Sequence, residues 1–224
     1  VFRRIVFSAC LAGLLAGVVL TAVQQLQVVP IILEAERHEP QDESAHSHGQ
    51  EDGHAHDHEA WSPDDGLERI FWTGVANVGM AIGFGLLLVA IYSLRASISW
   101  WQGLLFGLGG YAAFFALPAA GLAPELPGTE AAELGARQAW WLATVILSAL
   151  GLALIGLTCR WGLRIAGIVL VAVPHLIGAP HPETHSVLAP AELLQTFIVA
   201  TAIANAVFWI VLGTSSAVVF KKLA

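Results

Sequence analysis

The chain has 224 residues, 56% of them apolar and only 12% charged, with a mean hydropathy of +0.70. A water-soluble domain carries about 25% charged residues, so this composition excludes an ordinary soluble fold. The formal charge of −7 is spread unevenly, and no basic cluster points to nucleic acid.

Six apolar segments follow in chain order, roughly 5–27, 70–92, 100–119, 139–159, 161–179 and 193–218. They predict an all-α, polytopic membrane helix bundle of about six transmembrane helices. Residues 1–33 form the first transmembrane helix, 34–69 a His/Asp/Glu-rich outer loop, and 70–224 five further helices with short loops. Segment one opens on Arg3 and Arg4, as a secretory signal does. Its apolar run continues through Val28, Val29, Ile31 and Ile32 with no small-x-small cleavage site, which favours a retained span. Segment five is short and carries Pro174 near its outer end. Losing it gives a five-span alternative.

The loop after segment one is the densest feature of the sequence. His38, His46, His48, His54, His56 and His58 are interleaved with Asp42, Glu43, Glu51, Asp52, Asp57 and Glu59. Residues 28–69 hold twelve acids against two arginines, a formal charge of −10 with His neutral. Imidazole and carboxylate together suit divalent metals. The spacing His46-x-His48 and His54-x-His56-x-His58 is wrong for one helical face and suits a chain that wraps an ion. Such a polar segment is expected to be disordered without metal. Several equivalent ligand sets make the binding multi-site and rather unselective; the Irving–Williams order favours copper, and the residues alone do not select cobalt, nickel or zinc. A solvated acidic loop without an ion is the plainer alternative.

Basic residues set the orientation. Arg3, Arg4, Arg95, Arg160, Arg164, Lys221 and Lys222, seven of the ten, fall on one side of a six-span chain. That side is cytoplasmic, with both termini on it and the His-rich loop periplasmic. All seventeen acids fall in 28–69, 120–138 or 180–192, on the opposite side or its edge. Trp72, Trp100, Trp101, Trp140, Trp141 and Trp161 lie near span ends, as interfacial anchors do.

A second ligand group lies in 174–185, Pro-His-Leu-Ile-Gly-Ala-Pro-His-Pro-Glu-Thr-His. Pro174 frees a helix carbonyl one turn back. Broken helices with polar ligands are typical ion sites in transporters. His175 is an ionisable group inside an apolar span, costly there and often functional. With His181, Glu183, His185 and Glu192 it makes a candidate acceptor site. A hydrogen-bonded His175 beside ordinary loop residues is the competing expectation.

Asn77 and Asn205 are polar residues within spans, where interhelical hydrogen bonding is commoner than a role in a pathway. Gln24 and Gln25 are similar. Glu34 and Glu36, past the end of segment one, either hand ions from loop to bundle or simply end a helix. Gly79, Gly83 and Gly85 are expected to allow close helix packing. Cys10 and Cys159 form no CxxC pair and are expected as small packing residues. The sequence contains no Walker A motif, so it holds no ATPase domain, and it contains no HExxH or Ser-His-Asp arrangement, so it is not expected to be an enzyme.

Several stretches resemble one family. They are Phe2-Arg3-Arg4, Val29-Pro30-Ile31-Ile32-Leu33-Glu34-Ala35-Glu36, Trp61-Ser62-Pro63-Asp64-Asp65-Gly66-Leu67-Glu68-Arg69 and Leu122-Ala123-Pro124-Glu125-Leu126-Pro127-Gly128. Ala136-Arg137-Gln138-Ala139-Trp140-Trp141, Pro174 to Pro180, Pro190-Ala191-Glu192-Leu193 and Asn205-Ala206-Val207-Phe208-Trp209 complete the set. Together they resemble the CbtA family of bacterial cobalt transporter subunits over essentially the whole chain. The resemblance implies cobalt uptake linked to cobalamin synthesis. It also implies a small CbtB-type partner with one span and a His-bearing terminus. The family is usually described with about five spans, and the six read here depart from that.

An inner-membrane cobalt uptake subunit is therefore the expected function, with Co²⁺ as substrate and no organic cofactor. Its surroundings are membrane lipid. The alternatives are a non-transporting metal-binding sensor or reservoir, and a nickel or zinc transporter.

Overall fold

The computed structural model describes residues 1–38, 66–95, 97–182 and 189–223. Six long helices cover most of them: α1 (Phe2–Glu36), α2 (Leu67–Ser93), α3 (Trp100–Gly121), α4 (Leu134–Leu157), α5 (Trp161–Ile177) and α6 (Ala191–Lys222). Five are long and apolar enough to cross a membrane. At 17 residues α5 is the short one. It rises about 26 Å against a hydrocarbon thickness of about 30 Å. Glu34 and Glu36 are still helical in α1, and Leu67 to Arg69 already helical in α2, so the helices reach into the stretch expected as loop.

Local chemistry sets the helix ends. Ser99 and Gln102 form a reciprocal capping box at the start of α3. Glu133 caps α4, its carboxylate accepting from the backbone N–H of Gly135 at 2.7 Å and of Ala136 at 2.6 Å. Those two bonds hold the exposed Glu133 carboxyl below its ordinary range. Gly178 ends α5 with a φ of +90° that favours glycine.

Two helices, α1 and α3, change pitch in their second halves for the same reason. Proline lacks an N–H and its ring crowds the carbonyl four residues back. Ahead of Pro30, residues Gln24–Val28 open into a π-turn, closed by the Val29 N–H donating to the Gln24 carbonyl. Ahead of Pro118, residues Ala112–Ala116 do likewise, with Leu117 donating to Ala112.

Helices adjacent in sequence run antiparallel, and the close approaches between helices fall at small residues. Gly13 and Gly17 of α1 meet Ile82 and Val78 of α2, and Gly85 of α2 meets Ala9. Gly103 and Gly107 of α3 lie on Gly213 and the Trp209 carbonyl of α6. Gly151 of α4 meets Gly167 of α5. Gly79 and Gly83, expected as packing positions, face open space instead. Only Gly85 of that trio sits at a seam.

Helix α6 is the axis of the bundle and packs against α1, α2 and α3. Its Phe208, Trp209 and Leu212 are buried with Val89 and Tyr92 of α2. Phe84, Phe114 and Trp209 bind α2, α3 and α6 into an aromatic cluster. The α4–α5 hairpin joins this core mainly through the second half of α3. Leu14, Val75, Leu87, Leu105, Ile146, Ile168 and Ile203 are exposed, one or more on every helix. Apolar residues on the outside of helices whose backbones are satisfied internally are what lipid solvates. The chain is a multi-pass membrane protein.

The helices pass back and forth between two ends. Arg4 of α1 donates from Nε and Nη2 to the Phe220 carbonyl of α6, at 2.8 and 2.5 Å, with its guanidinium over the Phe220 ring. The first turn of α1 and the last turn of α6 thus share one end. There too lie the α2–α3 and α4–α5 turns, with Arg95, Arg160 and Arg164. Glu36, Glu68, Glu125, Glu130, Glu133, His181 and Glu192 lie at or near helix termini of the opposite end.

Candidate functional site

The acid-bearing end gathers the described candidates. Glu36, in the last turn of α1, pairs with Arg69 of α2 at 3.3 Å. This contact ties together the two helices from which the His-rich stretch leaves and returns. Glu34 pairs with Arg37 at 2.8 Å on the exposed surface, and the His38 ring Nδ1 contacts the Glu34 carbonyl at 2.9 Å. Both carboxylates therefore have cationic partners, as ordinary helix-end residues do. His46, His48, His54, His56, His58, Glu183 and His185 lie outside the described residues.

Two turns deeper, α1 and α2 are joined by a polar tie. Asn77 Nδ2 donates to Gln24 Oε1 at 2.7 Å and to Thr21 Oγ1 at 3.0 Å. Thr21 Oγ1 in turn donates to the Gly17 carbonyl at 2.9 Å. Gln24 opens the π-turn, so the change of pitch in α1 and the hydrogen bonds to α2 coincide. Asn77 thus fulfils the interhelical role expected of it. Among the described residues Asn205 makes no such tie: its Nδ2 donates at 3.0 Å to the Thr201 carbonyl of its own helix.

His175 occupies the last turn of α5, half-buried. Its Nε2 is buried and has no hydrogen-bond partner among the described residues. One face of the site is Trp140 of α4, whose ring meets the imidazole edge-on at 6.0 Å. Trp140 Nε1 donates to the Pro174 carbonyl at 3.3 Å, and the Gly178 N–H donates to the same oxygen at 3.0 Å. Gly121 lies against the same indole, with no room there for a Cβ. Trp140 is thus a buttress beneath the Pro174–His175 turn, where an interfacial anchor was expected. Nothing in the sequence separates it from its exposed neighbour Trp141 except helical phase.

His181 and Glu192 are exposed, the latter in the first turn of α6. Among the described residues no three His, Cys, Asp or Glu side chains lie close enough to hold a metal ion together. Cys10 and Cys159 are free thiols, and Cys159 is exposed in the α4–α5 turn, outside any packed seam.

A family model described as "Probable cobalt transporter subunit (CbtA)" matches residues 2–221. The chain belongs to the CbtA family. The match runs through all six helices and both flanks of the His-rich stretch, so the whole bundle is the CbtA unit. No curated protein and no solved structure matches it significantly. As a member of CbtA the chain is a transporter subunit, and cobalt is the substrate that the family description names.

Proposed function

We propose that this chain imports Co²⁺ across a bacterial inner membrane, as one subunit of a complex with a CbtB-type single-span protein. The His-rich stretch between α1 and α2 collects the ion on the periplasmic side. His175, with His181, Glu183, His185 and Glu192, accepts it at the outer ends of α5 and α6. No covalent chemistry is involved, and the link to cobalamin synthesis follows from the family alone.

One observation carries this reading. The carboxylates and histidines of the described residues cluster at one end of the bundle, and most of the arginines and lysines lie at the other. The positive-inside rule makes the basic end cytoplasmic. Ligands on the outer side let the ion bind from there, and a cytoplasm at negative potential drives it inward. The potential alone is worth about 4.6 kcal/mol per 100 mV for a divalent ion.

The test is flux in proteoliposomes holding the full chain with its CbtB-type partner. Cobalt should enter, and His175→Ala combined with His181→Ala should lower the initial rate several-fold. Cobalt bound to the protein without entry into the lumen would replace transport with a sensor or reservoir role. Faster entry of nickel or zinc at equal concentration would change the ion.

A further inference from the structure

A groove of about 570 Å³ opens between the outer half of α3 and the start of α4. It lies apart from His175 and from the α1–α2 seam. Phe114, Phe115 and Pro118 of α3 form one wall, and Trp141 and Leu142 of α4 the other. The connecting segment at Glu125 borders its outer end, where Arg137 of the first turn of α4 also lines it. Arg137 Nη2 and Glu125 Oε2 pair at 2.7 Å, each side chain about one-third exposed (30% and 31%).

The polarity of the groove changes with depth. Glu125 and Arg137 stand at the level where α3 ends and α4 begins, which is the membrane interface. Trp141 and Leu142 lie one to one and a half turns deeper along α4, and Phe114 and Phe115 about two turns deeper along α3. A charged mouth of both signs above an apolar slot matches one class of molecule present around any such helix. Each of the paired groups keeps capacity beyond their mutual bond, because a guanidinium has five N–H donors and a carboxylate two oxygens.

We propose that this groove binds a zwitterionic phospholipid, with the phosphate on Arg137, the ammonium on Glu125, and the upper part of one acyl chain between Phe115 and Trp141. The volume is suited to a headgroup and part of a chain, with the remainder of the lipid in the bilayer. Primary ammonium donates hydrogen bonds to a carboxylate and a quaternary one does not, so phosphatidylethanolamine is preferred over phosphatidylcholine. The site is independent of the cobalt assignment.

The experiment is native mass spectrometry of the full chain released from nanodiscs containing equal parts of phosphatidylethanolamine, phosphatidylcholine and phosphatidylglycerol. One retained phosphatidylethanolamine per chain is expected. Ala119 of α3 also lines the groove, so Ala119→Trp, which fills it, should reduce that retention several-fold. Glu125→Gln leaves a cationic mouth and should shift retention toward phosphatidylglycerol, a readout that holds even if the tryptophan variant does not fold. Retention unchanged in Ala119→Trp overturns the site. So does an unshifted preference in Glu125→Gln, or a wild-type chain that retains the three lipids in the proportions supplied.

Discussion

His175 holds a buried ring nitrogen, without a partner among the described residues, in a turn that is otherwise braced. Leaving a buried polar atom unpaired costs about 1–3 kcal/mol, and His175 Nε2 has no partner among the described residues. Its neighbours are arranged around it: Trp140 holds the Pro174 carbonyl and edges onto the imidazole. A leucine of similar bulk would remove the orphan nitrogen and keep the packing. His175→Leu should therefore raise the stability of the purified protein, by about 1 kcal/mol, while lowering cobalt transport. Thermal unfolding in detergent beside an uptake assay checks both halves. A variant that is destabilised, yet transports normally, would make His175 a structural residue.

At the scale of the element, helix existence was legible and helix rotation was not. Each apolar run became a helix because a run near twenty residues has no other way to satisfy its backbone in lipid. Which face of a helix meets which neighbour depends on the partner's surface, and one sequence does not carry it. Gly79 and Gly83 illustrate this: they share a helix with Gly85, yet only Gly85 points at α1. The difference is measurable. Gly17→Val puts a side chain against the Val78 backbone, and Gly107→Val puts one against the Trp209 carbonyl. Each should cost about 1–3 kcal/mol or more. Gly79→Ala and Gly83→Ala meet nothing and should be neutral or stabilising by about 0.5–1 kcal/mol. Unfolding curves showing equal costs for the two pairs would refute the seam assignment. The candidate site was legible in part for the same reason: the sequence marked Pro174 and His175, whereas the role of Trp140 depends on α4 facing α5.

Across the whole molecule, the open question of five or six passes turns on α5. Its length alone is marginal. Its packing is more informative, because Gly167 meets Gly151 midway and Pro174 meets Trp140 near the far end. Helix α5 therefore retraces α4 over nearly its full length. If α4 crosses the bilayer, α5 returns across it, and His181 emerges on the outer side. A His181→Cys variant, with Cys10 and Cys159 replaced by serine, should react in intact spheroplasts with a membrane-impermeant maleimide. Labelling only after lysis would reduce the chain to five passes and place the Pro-His segment in the cytoplasm.

The central claim is that this bundle brings cobalt inward. The most direct measurement is cellular cobalt, by mass spectrometry, in a strain lacking its own cobalt importer and grown at limiting external cobalt. The arms are empty vector, this chain alone, and this chain with a CbtB-type partner. Accumulation above vector is predicted when the chain and the partner are both present. Cobalt at the vector level in every arm, with the chain correctly inserted, would contradict import.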